Sequence, residues 1–89
     1  MKDVYLEITF RKGKAIAAYI YLSRKPGVTT NMSKKIKDNI IADYDGEGGL
    51  IGLEITSPHK ANSADINDIL VSHNAQPFSE KELAPLKAA

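Results

Sequence analysis

The chain contains no cysteine and no tryptophan, and only four prolines. Without cysteine there is no disulfide framework, no thiol nucleophile and no zinc site built on thiolates. No apolar run approaches the roughly 18 residues that a membrane-spanning helix needs, and none has the make-up of a signal peptide. The expectation is therefore a cytoplasmic protein with no membrane partner. Neither sign of charge dominates, with 12 Lys/Arg against 11 Asp/Glu. Aromatics are scarce as well: four tyrosines and two phenylalanines.

What remains is an ordinary globular composition of 89 residues, 43% hydrophobic and 26% charged. That length predicts one domain. A chain this small buries about 60% of its unfolded surface, so a deep pocket is costly to build. The near-neutral total conceals an asymmetry. Residues 1–44 hold nine basic and four acidic side chains, whereas residues 45–89 hold three and seven. The two halves can neutralise each other within the fold or between subunits, or present a basic face to an acidic partner.

Alternation dominates the first two thirds. Val4, Leu6, Ile8 and Phe10 share one phase, with Tyr5, Glu7, Thr9 and Arg11 on the other. This is the signature of a half-buried strand. Lys12-Gly13-Lys14 reads as a turn, and Ala15–Ser23 resumes the alternation with Ile16, Ala18, Ile20 and Leu22 inward. The two runs predict a hairpin. Arg24-Lys25-Pro26-Gly27 breaks the pattern. Residues Val28–Lys37 predict a polar edge strand, because lysines on an edge discourage stray pairing. Asn39–Asp45 and Leu50–Thr56 predict two more strands around a glycine-rich turn, the latter with Ile51, Leu53 and Ile55 on one face.

Beyond Pro58 the period changes. Asn62 or Ser63 can cap a helix whose Ile66, Ile69, Leu70 and His73 fall on one face. Ser79 and Glu82 have the spacing of a capping box, flanked by Phe78 and Leu83 in the positions of a hydrophobic staple. Pro85 and the weak tail predict fraying at the end. The fold class expected is α+β: a small antiparallel meander of about five strands (residues 1–57), followed by one or two C-terminal helices packed on it (residues 58–89). Val4, Leu6, Ile8, Phe10, Ile16, Ala18, Ile20, Leu22, Ile51, Leu53 and Ile55 are the expected sheet side of the core, with Ile66, Ile69, Leu70 and Leu83 covering it.

Two blocks of this sequence resemble a known family. Ala17-Ala18-Tyr19-Ile20-Tyr21-Leu22-Ser23 is similar to the alanine, aromatic, isoleucine, leucine/serine strand of the bacterial domain-of-unknown-function 2283 family. Ile40-Ile41-Ala42-Asp43-Tyr44-Asp45, the glycine-rich turn and Leu50-Ile51-Gly52-Leu53-Glu54-Ile55 resemble its second signature. The resemblance extends over about residues 4–57 and implies a small antiparallel β-rich fold of bacterial type. It supplies no catalytic residues. Where the family commonly carries an acidic first turn, Phe10-Arg11-Lys12-Gly13-Lys14 is basic here.

Asp43, Asp45, Glu47, Gly48 and Glu54 match positions 1, 3, 5, 6 and 12 of a calcium-binding EF-hand loop, with Leu50 at the apolar position 8. Such a loop needs a helix on each side, and these flanks alternate as strands, so a hairpin is expected. Gly46, Gly48 and Gly49 precede a strand rather than the helix a phosphate cradle opens, so they read as a turn. His59 and His73 have no orienting partner at a catalytic spacing and read as a loop residue and a helix-end residue. No catalytic, cofactor or metal-ligating residue is assigned, and the protein is not expected to be an enzyme. The candidate interaction surface is Tyr5, Tyr19, Tyr21, Arg11, Lys35 and Lys37, with Tyr44 a candidate fourth tyrosine. Three uses compete for it: a solvated sheet face, an interface with another protein or a second copy, and a stacking platform for single-stranded nucleic acid.

Overall fold

The computed structural model describes residues 5–22 and 27–87. Five strands form one antiparallel sheet: β1 (Tyr5–Arg11), β2 (Lys14–Tyr21), β3 (Met32–Lys37), β4 (Ile40–Tyr44) and β5 (Leu50–Ile55). Their spatial order is β1-β2-β5-β4-β3. The order is meander-like: β1–β2 is a hairpin and β3–β4–β5 a meander, and the two pieces join where β2 pairs with β5. A one-turn 3-10 segment at Pro58–Lys60 leads to helix α1 (Ser63–Ser72), short helix α2 (Glu80–Leu83) and a second 3-10 turn at Ala84–Lys87.

The helices cover one face of the sheet. Ala18, Ile20, Leu22, Ile40, Ala42, Leu53 and Ile55 from the sheet meet Ile66, Ile69, Leu70, Phe78, Leu83 and Leu86 from the helical segment in one buried cluster. Alternation places these sheet residues on the same side, and the helical period places Ile66, Ile69 and Leu70 against them. Leu6 and Ile8 of β1 pack at the margin of this cluster, half-buried.

The caps form as their spacing predicts. Asn62 Oδ1 accepts the Ala64 amide at 2.7 Å. Ser79 and Glu82 form the reciprocal capping box, and both staple residues, Phe78 and Leu83, are buried. One tie was not legible beforehand. The Asn67 amide donates to Phe78 O at 2.9 Å, and its Oδ1 accepts from Phe78 N at 2.8 Å, which clips the entry of α2 to α1.

Several expectations need correction. Phe10 and Ile16, expected in the core, are 50% and 45% exposed. For Ile16 the cause is a bulge: Thr9 pairs with Ala17 but Phe10 pairs with Ala15, so Ile16 is an extra residue in β2. Beyond it the phase of β2 flips, and Ala15 is buried instead. Phe10 keeps the phase of Leu6 and Ile8 but lies on the edge strand β1 next to the hairpin turn. Val4 lies outside the described residues. The third strand begins at Met32 rather than Val28, because its partner β4 ends at Tyr44 and the last bond runs from Asn31 N to Tyr44 O. The C-terminal end is anchored where fraying was expected. Leu86 is 2% exposed, and Lys87 Nζ donates to His59 O at 3.0 Å. The apolar side chain of Leu86 continues the face that Leu83 begins, and Pro85 is accommodated in the 3-10 turn.

Candidate functional site: the uncovered sheet face

Among the described residues the helices leave the opposite face of the sheet uncovered, and the strand registers define what it carries. One row runs Tyr5–Tyr21–Gly52–Asp43–Ser33 across all five strands. The next runs Glu7–Tyr19–Glu54–Ile41–Lys35. Tyr5, Tyr19 and Tyr21 are therefore brought together, as the alternation predicts. Tyr5 stacks on Tyr21 with ring centroids 4.6 Å apart and planes 16° off parallel. Tyr21 in turn lies 4.6 Å from Tyr19, tilted by 51°.

The Tyr19 ring leans diagonally over β5. Gly52 makes this approach possible: a Cβ there would come closer than 3.0 Å to the Tyr19 hydroxyl and ring carbons. The reach ends at Asp43 on β4. Tyr19 donates its hydroxyl proton to Asp43 Oδ2 at 2.6 Å, and Ser33 donates to Oδ1 at 2.6 Å. Asp43 is 9% exposed, so its carboxylate is largely withdrawn from water and satisfied by two short hydroxyl bonds. Tyr21 donates to Glu7 Oε1 at 3.1 Å. Side chains from four strands are thus tied into one polar–aromatic network, with the backbone of the fifth beneath it. Its Asp43 and Ser33 members lay outside the candidate set drawn from sequence. The signal that could have found them is the coincidence of a strand glycine with an outward aspartate on its neighbour, which marks a place where another side chain lies flat on the sheet.

The basic members of the candidate surface are dispersed. Lys35 sits on the same face but on the edge strand β3, three strands from Tyr19 in its row. Arg11 pairs with Lys14 at the far end of the hairpin from Tyr5, which pairs with Tyr21. Lys37 is shifted by an irregularity after Lys35 into register with Ile40, a core residue. Tyr44 does not join the other tyrosines. It falls in the phase of Ile40 and Ala42, packs against the core, and lies beside His73 of the helical layer with its hydroxyl 3.3 Å from Nε2. His73 caps α1, with Nδ1 2.7 Å from Ile69 O.

The glycine-rich loop is a hairpin connection. Asp45 Oδ1 accepts the Glu47 and Gly49 amides at 2.9 and 2.8 Å, which holds the turn together. Asp43 and Glu54 lie within flanking strands rather than around the loop. Among the described residues no three His, Asp or Glu side chains gather where an ion could be held. His59 lines an open cavity of about 400 Å³ with Lys14, Ala15, Ile16, Thr56 and Ser57, whereas Asp43 and Glu54 share the tyrosine face. His59 is thus remote from the two carboxylates of that face.

Residues 17–57 match the model of the family described as "Protein of unknown function (DUF2283)". The match begins at Ala17, so it takes in most of β2 and all of β3, β4 and β5 and leaves out β1, which lies within the resemblance read from the sequence over about residues 4–57. Both signature blocks lie inside it, and so do Tyr19, Tyr21, Ser33, Asp43 and Gly52. The matched segment thus holds the Tyr19–Asp43–Ser33 part of the network, while Tyr5 and Glu7 lie outside it. No curated protein and no solved structure matches the chain. No helix among the described residues is long and apolar enough to cross a membrane.

Proposed function

We propose that this protein is a non-enzymatic, bacterial-type interaction module of the cytoplasm, whose partner is another protein or a second copy of itself. The observation that carries this reading is the bare sheet face. A five-stranded sheet packs helices on one side only, and the other side presents a stack of three tyrosines braced by hydrogen bonds. Tyrosines offer a large apolar body and a polar tip at low entropic cost, the properties that enrich them in protein interfaces. The network holds the rings in place before any partner arrives, which lowers the ordering cost of association.

The alternative is a small nucleic-acid-associated regulatory protein. The composition of the face weighs against it. Glu7, Glu54 and Asp43 stand among the tyrosines, and Arg11 and Lys37 lie away from them. Phosphate contacts supply most of the affinity for nucleic acid, and a face seeded with carboxylates repels them.

Because the chain has no tryptophan, its ultraviolet fluorescence reports tyrosine alone. Iodide quenching measured as protein concentration rises tests the self-association form directly. Protection of the emission, lost in Tyr5→Ser/Tyr21→Ser, is expected if the face is covered. Unchanged quenching over the whole range, together with a salt-sensitive gel shift of single-stranded RNA that Lys34→Gln/Lys35→Gln/Lys37→Gln removes, would favour the alternative.

A further inference from the structure

The sheet has two edges, and they are built differently. The β3 edge carries Lys34, Lys35 and Lys37 in six residues, the usual protection against unwanted pairing. The β1 edge, Tyr5-Leu6-Glu7-Ile8-Thr9-Phe10-Arg11, has no lysine and no proline, and among the described residues β2 is the element it contacts extensively. An open edge with this make-up is a template for another strand.

The backbone phase of that edge follows from the turn. Lys12 and Gly13 both have positive φ, 52° and 78°, as a two-residue type I′ hairpin turn requires. Such a turn closes on Arg11 and Lys14 as a hydrogen-bonded pair. Alternation then directs the amides and carbonyls of Arg11, Thr9, Glu7 and Tyr5 toward β2. Those of Leu6, Ile8 and Phe10 face outward, unpaired by the sheet.

We propose that β1 pairs antiparallel with β1 of a second copy about a two-fold axis at Ile8, which joins two five-stranded sheets into one of ten. This rests on the interaction-module reading and names its partner and its edge. The register is self-complementary. Ile8 meets Ile8 of the second copy through its outward amide and carbonyl. Leu6 meets Phe10, which gives the half-exposed Phe10 ring an apolar neighbour on the helix side of the sheet. On the tyrosine side Arg11 lies opposite Tyr5 and diagonal to Glu7. The guanidinium there continues the Tyr19–Tyr21–Tyr5 stack and faces a carboxylate. Tyr5 is 57% exposed as the end of that stack, and the pairing covers it. A one-residue slip would set core-side against face-side residues and is excluded. Among the even slips, the Ile8-centred pairing is the one that sets Leu6 against Phe10 and Tyr5 against Arg11, and the cross-link at position 8 tests it.

The test uses the full chain in sedimentation equilibrium up to millimolar concentration. The expected mass rises from 9.7 kDa toward twice that value. Arg11→Glu alters only an exposed side chain and is expected to weaken association about tenfold, since the two-fold axis repeats each lost contact. Glu7→Arg combined with Arg11→Glu restores the opposite charges and should recover association. The chain has no native cysteine, so Ile8→Cys gives a clean cross-link. Antiparallel hydrogen-bonded partners have Cα atoms about 5.5 Å apart, within disulfide reach. Mild oxidation should produce a covalent dimer for Ile8→Cys but not for Tyr21→Cys, which lies one strand in. A dimer that ignores Arg11→Glu, fails to cross-link at position 8 and dissociates with Tyr5→Ser/Tyr21→Ser overturns the edge pairing while upholding the interaction module. A monomer at every concentration overturns the edge pairing and self-association together.

Discussion

Gly52→Ala offers the sharpest test of how the tyrosine face is held. The substitution adds one methyl group to a buried strand residue. On backbone grounds alone it should help, because glycine in a strand is about 0.5–1 kcal/mol less favourable than alanine. The structure predicts the opposite. The new Cβ would fall closer than 3.0 Å to the Tyr19 ring and hydroxyl, so the ring must lift. Lifting it breaks the 2.6 Å bond to Asp43, a hydrogen bond to an ionised carboxylate worth about 1.5–3 kcal/mol. It also disturbs the Tyr19–Tyr21 contact, worth about 0.5–1.5 kcal/mol. After the backbone gain is subtracted, the net loss is roughly 2 kcal/mol. For a chain of this length that is a fall in Tm of about 8–16 °C. Urea unfolding followed by far-ultraviolet circular dichroism measures it. The decisive comparison is the same change in a Tyr19→Ala background. With no ring to displace, Gly52→Ala should then stabilise by about 0.5–1 kcal/mol, which gives a coupling of roughly 2–3 kcal/mol. An equal cost in both backgrounds would show that the glycine answers to something other than the tyrosine, and the account of the network would be wrong.

Asn67→Ala removes both bonds that clip Phe78 to α1 and should cost about 2 kcal/mol, seen as a lower urea midpoint with an unchanged slope. Leu86→Ala opens a cavity beneath the last turn and should cost about 2–5 kcal/mol, whereas a frayed tail would make the change silent. Ser79→Ala removes the cap of α2, with an expected loss of about 1 kcal/mol; Ser79→Asp should retain most of it.

Much of this fold could be read from alternation, because one buried face imposes a period of two and one buried helix stripe a period of 3.6. The caps at Asn62 and Ser79 are local chemistry and were legible for the same reason. The misplacement of Phe10 follows from its place on the edge strand, and that of Ile16 from a bulge. A bulge inserts a residue without altering composition, and no strand-length pattern reveals where the phase flips. Another irregularity, between Asp43 and Tyr44, leaves Ile51 without a partner in β4. Tyr44 was misassigned for another reason: an aromatic beside a turn fits either face, and its neighbours Ile40, Ile41 and Ala42 offer no clean alternation. The site was half legible. Tyr5, Tyr19 and Tyr21 announce themselves by phase, but Asp43 and Ser33 become their partners only through the β2–β5 and β4–β5 registers, which join residues 24 and 10 positions apart. Arg11 and Lys37 were grouped with the tyrosines by phase alone, which ignores distance along a strand and the shift after Lys35.

The strand order has a consequence for the matched segment itself. Residues 17–57 hold most of β2 and all of β3, β4 and β5, four neighbouring strands in one continuous stretch. Taken alone, that unit would leave β2 as a raw edge and the apolar side chains of Ile20, Ile40, Leu53 and Ile55 in water. Here β1 supplies the missing border and residues 58–87 supply the roof. The segment is therefore a transplantable panel rather than a self-sufficient house. Any chain that carries it must bring its own roof, from flanking sequence or from a neighbour, and chains that do so differently can share the panel while presenting unrelated exteriors.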